Sequence, residues 1–137
     1  MNMKEIITRH STMLGFMSWL VPFAGSFLFF DRTGQLLIAQ PLFKSLMVVL
    51  GGGLGTALLV VAFRRIVPST RSGLALGCYW LAINLILDLA VLVPFVGMPV
   101  VTYLYDIGLR YLLLPIISLA IGMVARRARQ QAPSSRS

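Results

Sequence analysis

Apolar residues run through this chain in four long stretches rather than in stripes, at about 13–30, 42–63, 72–97 and 100–125. Each is long enough to cross the hydrocarbon core of a bilayer, which takes about 20 helical residues. A helix of a water-soluble bundle keeps a polar face, yet residues 57–63 and 112–117 are apolar around the whole circumference of a helix. No stretch alternates apolar and polar residues with the period of two that a transmembrane barrel strand requires. The pattern predicts an all-α integral membrane protein, with four transmembrane helices in an antiparallel bundle. A segment 1–12 precedes the transmembrane domain 13–125, and a basic tail 126–137 follows it.

Positive charge sets the expected orientation. Lys4 and Arg9 precede the first stretch; Arg64, Arg65 and Arg71 separate the second from the third; Arg126, Arg127, Arg129 and Arg136 follow the fourth. The opposite side holds only Arg32, with Lys44 at the start of the second stretch. Cytoplasmic loops retain Lys and Arg, so both termini are expected in the cytoplasm. In a bacterium the membrane would be the cytoplasmic (inner) one.

Composition removes the main competitors. Hydrophobic residues make up 58% of the chain and charged ones 12%, against about 45–50% and 25% in a soluble domain. The excess of 12 Lys+Arg over 4 Asp+Glu would ordinarily raise nucleic acid as a partner. Here the cations flank the spans, and no basic surface interleaved with aromatic residues lies outside them, so nucleic acid is not expected. Arg64, Arg65, Arg126, Arg127 and Arg129 should instead meet anionic lipid headgroups, at about 1 kcal/mol each.

Turn and packing signals fill in the spans. Asp31-Arg32-Thr33-Gly34 reads as a turn with Gly34 supplying the permissive backbone, and Gly97-Met98-Pro99 as a tight link between spans three and four. Span one ends Phe29-Phe30-Asp31 without a small-x-small cleavage site, which favours a retained signal anchor. Pro22, Pro94 and Pro115 fall inside spans one, three and four, where each removes a backbone donor. In span two, Gly51 with Gly55 and Gly52 with Thr56 form small-xxx-small pairs suited to close helix packing. A phosphate loop is not expected there, because the Lys-Ser/Thr it needs is absent. Cys78, the single cysteine, reads as a small core residue.

The candidate chemistry is a set of polar residues inside the spans, where ionisable groups are expensive. Gly77, Trp80, Asn84, Asp88 and Val91 share a face of span three. Asp106 and Arg110, four apart, share a face of span four, with Tyr103 one turn earlier. A rise of about 1.5 Å per residue puts Asp88, Asp106 and Arg110 at similar depth. The reading is therefore an intramembrane network of Asn84, Asp88, Tyr103, Asp106 and Arg110, in which Asp88 reaches Arg110. Two carboxylates against one guanidinium require that Lys44 bend inward or that Asp88 and Asp106 share a proton. No Ser/His/Asp or Cys/His constellation falls at one depth, and no metal ligands or cofactor motif appear, so no enzyme and no cofactor are expected. The primary expectation is a non-enzymatic accessory or interaction protein that stabilises or regulates a membrane partner. The alternative is an oligomeric proton-coupled transporter, or a channel for ions or small solutes, using Asp88, Asp106 and Arg110. The partners expected are the lipid bilayer and either a second copy of the chain or another membrane protein.

Overall fold

Four long helices make most of the fold, and most of them begin at a start signal in the sequence. The structure, a computed structural model, describes residues 2–132; Arg136 and the end of the expected tail lie outside the described residues. A short helix α1 (Met3–Ile6) leads into α2 (Arg9–Ser26), where Thr8 caps the first turn by accepting the Ser11 N–H at 3.1 Å. A 3-10 turn, Phe27–Phe29, ends that span. Helix α3 (Gln40–Phe63) carries Pro41 in its first turn, where a missing N–H leaves no bond unmade. Helix α4 (Thr70–Leu87) opens with a reciprocal cap between Ser69 and Ser72. It continues through a π-helical turn, Asp88–Leu92, into α5 (Val93–Val96). Helix α6 (Val100–Asp106), a 3-10 turn (Gly108–Leu112) and α7 (Leu113–Gln131) complete the chain. Four segments, Arg9–Phe29, Gln40–Phe63, Thr70–Val96 and Gly108–Gln131, are long and apolar enough to cross a membrane. No strand occurs among the described residues.

Several boundaries differ from the apolar pattern, each for a local reason. The first helix starts at Arg9, and Ile6 before it is fully buried. The fourth stretch is not one helix: the backbone leaves helical geometry at Ile107 (φ −125°, ψ −50°), which separates α6 from the span that follows. That span runs on through Arg126, Arg127 and Arg129, so the first part of the expected tail is helical. Pro115 falls in the first turn of α7, where it breaks no hydrogen bond of the helix. Cys78 is exposed on the outer surface of α4 rather than in the core.

Close backbone contact holds α4 to α7. A Cβ on Gly73 would lie 2.6 Å from the Ser118 carbonyl oxygen; one on Gly77 would overlap the Pro115 Cα, and one on Gly122 the Ser69 carbonyl. Between helices in lipid there is little hydrophobic driving force, so such dispersion contacts do the work. Gly15 likewise opens a notch on α2, where a Cβ would stand 3.0 Å from the Trp80 ring. The glycines of span two behave otherwise. A Cβ on Gly51 or Gly52 would meet nothing within 4 Å, and one on Gly55 only the Leu114 side chain at 3.3 Å. Thr56 turns its hydroxyl back to the Gly52 carbonyl at 2.7 Å. Within the chain, then, close approach belongs to Gly73, Gly77 and Gly122, not to the Gly51–Gly55 and Gly52–Thr56 pairs.

The buried apolar cluster lies at one end. Ile6, Leu59, Ala62, Phe63, Ile66, Leu76, Trp80 and Leu114 pack together near the two chain termini. The exposed side chains of Arg64, Arg65, Arg126, Arg127 and Arg129 surround this terminal end.

The opposite end carries the Asp31 turn and the Gly97 link. Gly34 (φ 81°) and Gly97 (φ 71°) both take the left-handed backbone that glycine permits. The Asp31 carboxylate accepts from the Thr33 hydroxyl (2.6 Å), the Thr33 N–H (2.8 Å) and the Gln35 N–H (2.9 Å). These bonds, the Thr33 hydroxyl foremost, hold its pKa below the ordinary 3.8. A lowered pKa means that the carboxylate's support of the turn is complete above pH 3.8 and is lost as pH falls through the folded value. An NMR titration of the Asp31 carboxyl should therefore give a midpoint below 3.8, and Thr33→Val should move it upward. A midpoint at or above 3.8 would show that the turn does not hold the charge.

Candidate functional site

Polar bonds tie α2 to α4 along their length. The Trp80 indole N–H donates to the Ser11 hydroxyl (3.3 Å), Asn84 Nδ2 to the Ser18 hydroxyl (3.1 Å), and the Trp19 indole N–H to Asp88 Oδ1 (2.7 Å). The other Asp88 oxygen accepts from the Tyr103 hydroxyl at 2.8 Å. One carboxylate, 1% exposed, thus joins α2, the π turn and α6.

The π turn explains both the placement of Asp88 and a failure of periodicity. Val93 N–H bonds to the Asp88 carbonyl, five residues back, just ahead of Pro94. Gly77, Trp80, Asn84 and Asp88 are buried on the expected face. Beyond Asp88 the wider turn holds an extra residue, which rotates the face by about 100°. Val91 is consequently 39% exposed.

The expected network therefore divides in two. Asn84, Asp88 and Tyr103 belong to the buried knot. Asp106 stands apart, paired with Lys44 Nζ at 3.5 Å with both side chains nearly half exposed, so the lysine meets the charge that a shared proton was expected to neutralise. Asp88 bonds to Trp19 and Tyr103, not to Arg110, and Asp88 and Asp106 make no hydrogen bond to each other. The break at Ile107 lies between Asp106 and Arg110, so their four-residue spacing does not set them on one helical face. Arg110 is partly buried, and no carboxylate of the described residues lies within ion-pairing distance of it.

Asn84, Asp88, Asp106 and Arg110, though not Tyr103, line one cavity of about 1030 Å³. Its lining passes from the buried Ser18, Asn84 and Asp88, through the partly buried Arg110 and Lys44, to the exposed Asp31 and Arg32, and this gradient of exposure distinguishes an inner end from a mouth. The buried apolar cluster of Leu59 and Trp80 adjoins it through Leu114, which belongs to both. Aromatic rings link the Asp88 knot to the mouth: Trp19 stacks on Phe23 (4.7 Å between centroids), Phe23 meets Phe27 edge-on (5.2 Å), and Phe27 meets Phe95 (5.9 Å). Gly51, Gly52 and Thr56 line the α3 side, so the missing side chains leave space there. The volume is at the top of the roughly 300–1,000 Å³ of small-molecule sites.

One buried acceptor at the inner end is unmet. Asn84 Nδ2 donates to the Trp80 carbonyl at 2.9 Å, a partner that only a donor can satisfy, so the amide orientation is set. Asn84 Oδ1 then has no protein partner, a deficit worth about 1–3 kcal/mol for a buried acceptor.

Sequence reasoning missed Trp19 and Ser18. An indole N–H buried in a span needs an acceptor, and span one offers no acidic one; that shortage was the available signal. No group of His, Cys, Asp or Glu among the described residues is arranged to hold a metal ion, and no His or Cys lines the cavity. No family model matches the sequence, and comparison with curated proteins and with solved structures finds no match. Fold and site together define a class: an all-helical chain with four helices able to cross a membrane and a large pocket among them.

Proposed function

We propose that this chain is a solute-binding membrane protein of the carrier or channel type. Its four spans form an antiparallel bundle, with both termini cytoplasmic and the cavity open to the other side. The observation that carries this reading is the cavity, adjoined by apolar packing at the terminal end and lined on its wall by the partly buried, unpaired Arg110. Supporting the bundle, residue numbers rise together along α2 and α4 (Ser11 to Trp80, Trp19 to Asp88). They run oppositely along α4 and α7 (Ser69 to Gly122, Gly77 to Pro115). The exposed arginines of the terminal end would rest on anionic headgroups. One cavity open to one side is half a pathway, so transport would require the opposite opening or a second copy of the chain.

A second reading, the accessory protein that stabilises or regulates a membrane partner, is favoured by one observation. Asp88 is dry and accepts a bond on each oxygen, as a purely structural lock would be.

Thr56 lies within the cavity and tests both access and orientation. In a Cys78→Ser background, Thr56→Cys should react with a membrane-impermeant anionic methanethiosulfonate reagent in right-side-out vesicles and be protected in inside-out ones. Adding Gly52→Leu, whose Cβ meets nothing within 4 Å and whose position lines the cavity, should slow the reaction at least tenfold. Reaction only from the terminal side, or none in either vesicle, would overturn the proposal.

A further inference from the structure

The occupant of the cavity can be narrowed by taking its charged residues in turn. The Asp31 carboxylate is spent on its own turn, Asp88 on Trp19 and Tyr103, and Asp106 on Lys44. Arg110, partly buried in the wall, and Arg32, exposed at the mouth, remain, neither with a side-chain hydrogen bond or an ion pair among the described residues. A guanidinium within a span is expensive, and its planar fork of donors matches a phosphate. Lys44 adds a second cation nearby, held only by an exposed pair of the kind that contributes little.

The second observation is independent of charge. Asn84, 1% exposed at the inner end of the cavity, keeps Oδ1 without a partner. It can receive an O–H from the occupant's headgroup, a bond no protein group makes. Beyond these polar points the walls are Phe23, Phe27, Phe43, Phe95 and Met47. Free phosphate would leave those walls uncovered, and a wholly apolar molecule would leave Arg110 uncompensated. A cationic amphiphile would find Asp88 the nearest deep acid, but each of its oxygens already accepts a bond, from Trp19 and from Tyr103.

Resting on the solute-binding reading above, the geometry points to an anionic amphiphile taken from the lipid leaflet, with a phosphate-bearing, hydroxylated headgroup anchored on Arg110 and an apolar chain against the aromatic wall. Arg110 is the specificity-determining residue. Lys44 assists the phosphate after exchanging Asp106 for it, and Asn84 Oδ1 accepts the hydroxyl.

The test uses the full chain in nanodiscs of phosphatidylcholine, titrated separately with lysophosphatidic acid, dodecyltrimethylammonium and inorganic phosphate. Binding is followed by calorimetry and by the rise in unfolding temperature. Lysophosphatidic acid should bind saturably, Arg110→Gln should weaken it at least tenfold, and Arg110→Lys should restore part of the loss. Gly52→Leu should abolish binding while leaving the unfolding temperature of the empty protein unchanged or higher. Inorganic phosphate should produce no shift at the same concentration. Undiminished binding in Arg110→Gln would overturn the inference, as would binding of inorganic phosphate equal to that of the lipid. Gly52-sensitive binding of the cationic amphiphile in place of the anionic one would overturn the inference and leave the solute-binding reading standing. If neither amphiphile binds, the inference fails, and Thr56→Cys labelling separately decides whether the cavity reading fails with it.

Discussion

Gly77→Ala, in α4, is expected to lower the unfolding temperature of the protein in detergent more than a methyl group placed on any glycine of α3. The added Cβ would overlap the Pro115 Cα and lie 2.9 Å from both the Pro115 nitrogen and the Leu114 carbonyl oxygen. All three are backbone atoms in the first turn of α7, so no rotamer change relieves the overlap, and the two helices must separate. Overpacking ordinarily costs about 1–3 kcal/mol; with backbone on the far side the upper end, about 3 kcal/mol, applies. Separation would also loosen the contacts at Gly73 and Gly122, which belong to the same interface. Gly51→Ala is the matched control. Its Cβ meets nothing within 4 Å, and alanine is the better helix former by about 0.8–1 kcal/mol, so stability should hold or rise. Equal melting of the two variants would show that α4 and α7 do not approach as described.

Removing the Asp88 carboxylate should give the second large effect. In Asp88→Ala the Trp19 N–H and the Tyr103 O–H both lose their acceptor inside the protein. At about 1–3 kcal/mol per orphaned donor, the expected loss is about 2–6 kcal/mol. Asp88→Asn is milder, since its carbonyl oxygen can still accept from the Trp19 N–H while its NH₂ donates to the Tyr103 hydroxyl oxygen; a loss of about 1.5–3 kcal/mol is expected. Tyr103→Phe in the same Asn background should add to that loss, because the Asn NH₂ then has no acceptor. Thermal unfolding together with a double-mutant cycle measures both. The same variants separate the two functional readings. If Asp88→Asn lowers only the melting temperature and ligand still binds below it, Asp88 is a lock and the cavity acts through Arg110. If melting is unchanged and binding or transport is lost, Asp88 acts on the solute itself.

Parts of the site were legible in the residue pattern. Spacing along span three correctly brought Gly77, Trp80, Asn84 and Asp88 to one buried face, because an α-helix repeats every 3.6 residues whatever surrounds it. The same rule failed at Val91 and again at Asp106–Arg110. In the first case a π turn precedes Pro94, and in the second the helix breaks at Ile107. The close-packing glycines were also readable: Ser69, Gly73 and Gly77 recur every four residues, as do Ser118 and Gly122. The run Gly51–Gly55 is denser in glycine and drew attention away from them, yet its open side faces the cavity.

Four membrane-length helices follow from the sequence alone, since in lipid each backbone N–H and C=O must be bonded within its own segment. That demand is local, and apolar run length expresses it directly. The charged flanks carry an expected orientation in the same local way, each cation acting through its own loop. Only the tertiary structure decided which group answers Asp88. A bond between helices depends on the rotation of both about their axes and on the depth of each side chain, and one π turn or one non-helical residue alters these by a large part of a turn. Hence Asp88 meets Trp19 and Tyr103, Asp106 meets Lys44, and Arg110 is left facing a cavity that no stretch of the chain encodes by itself.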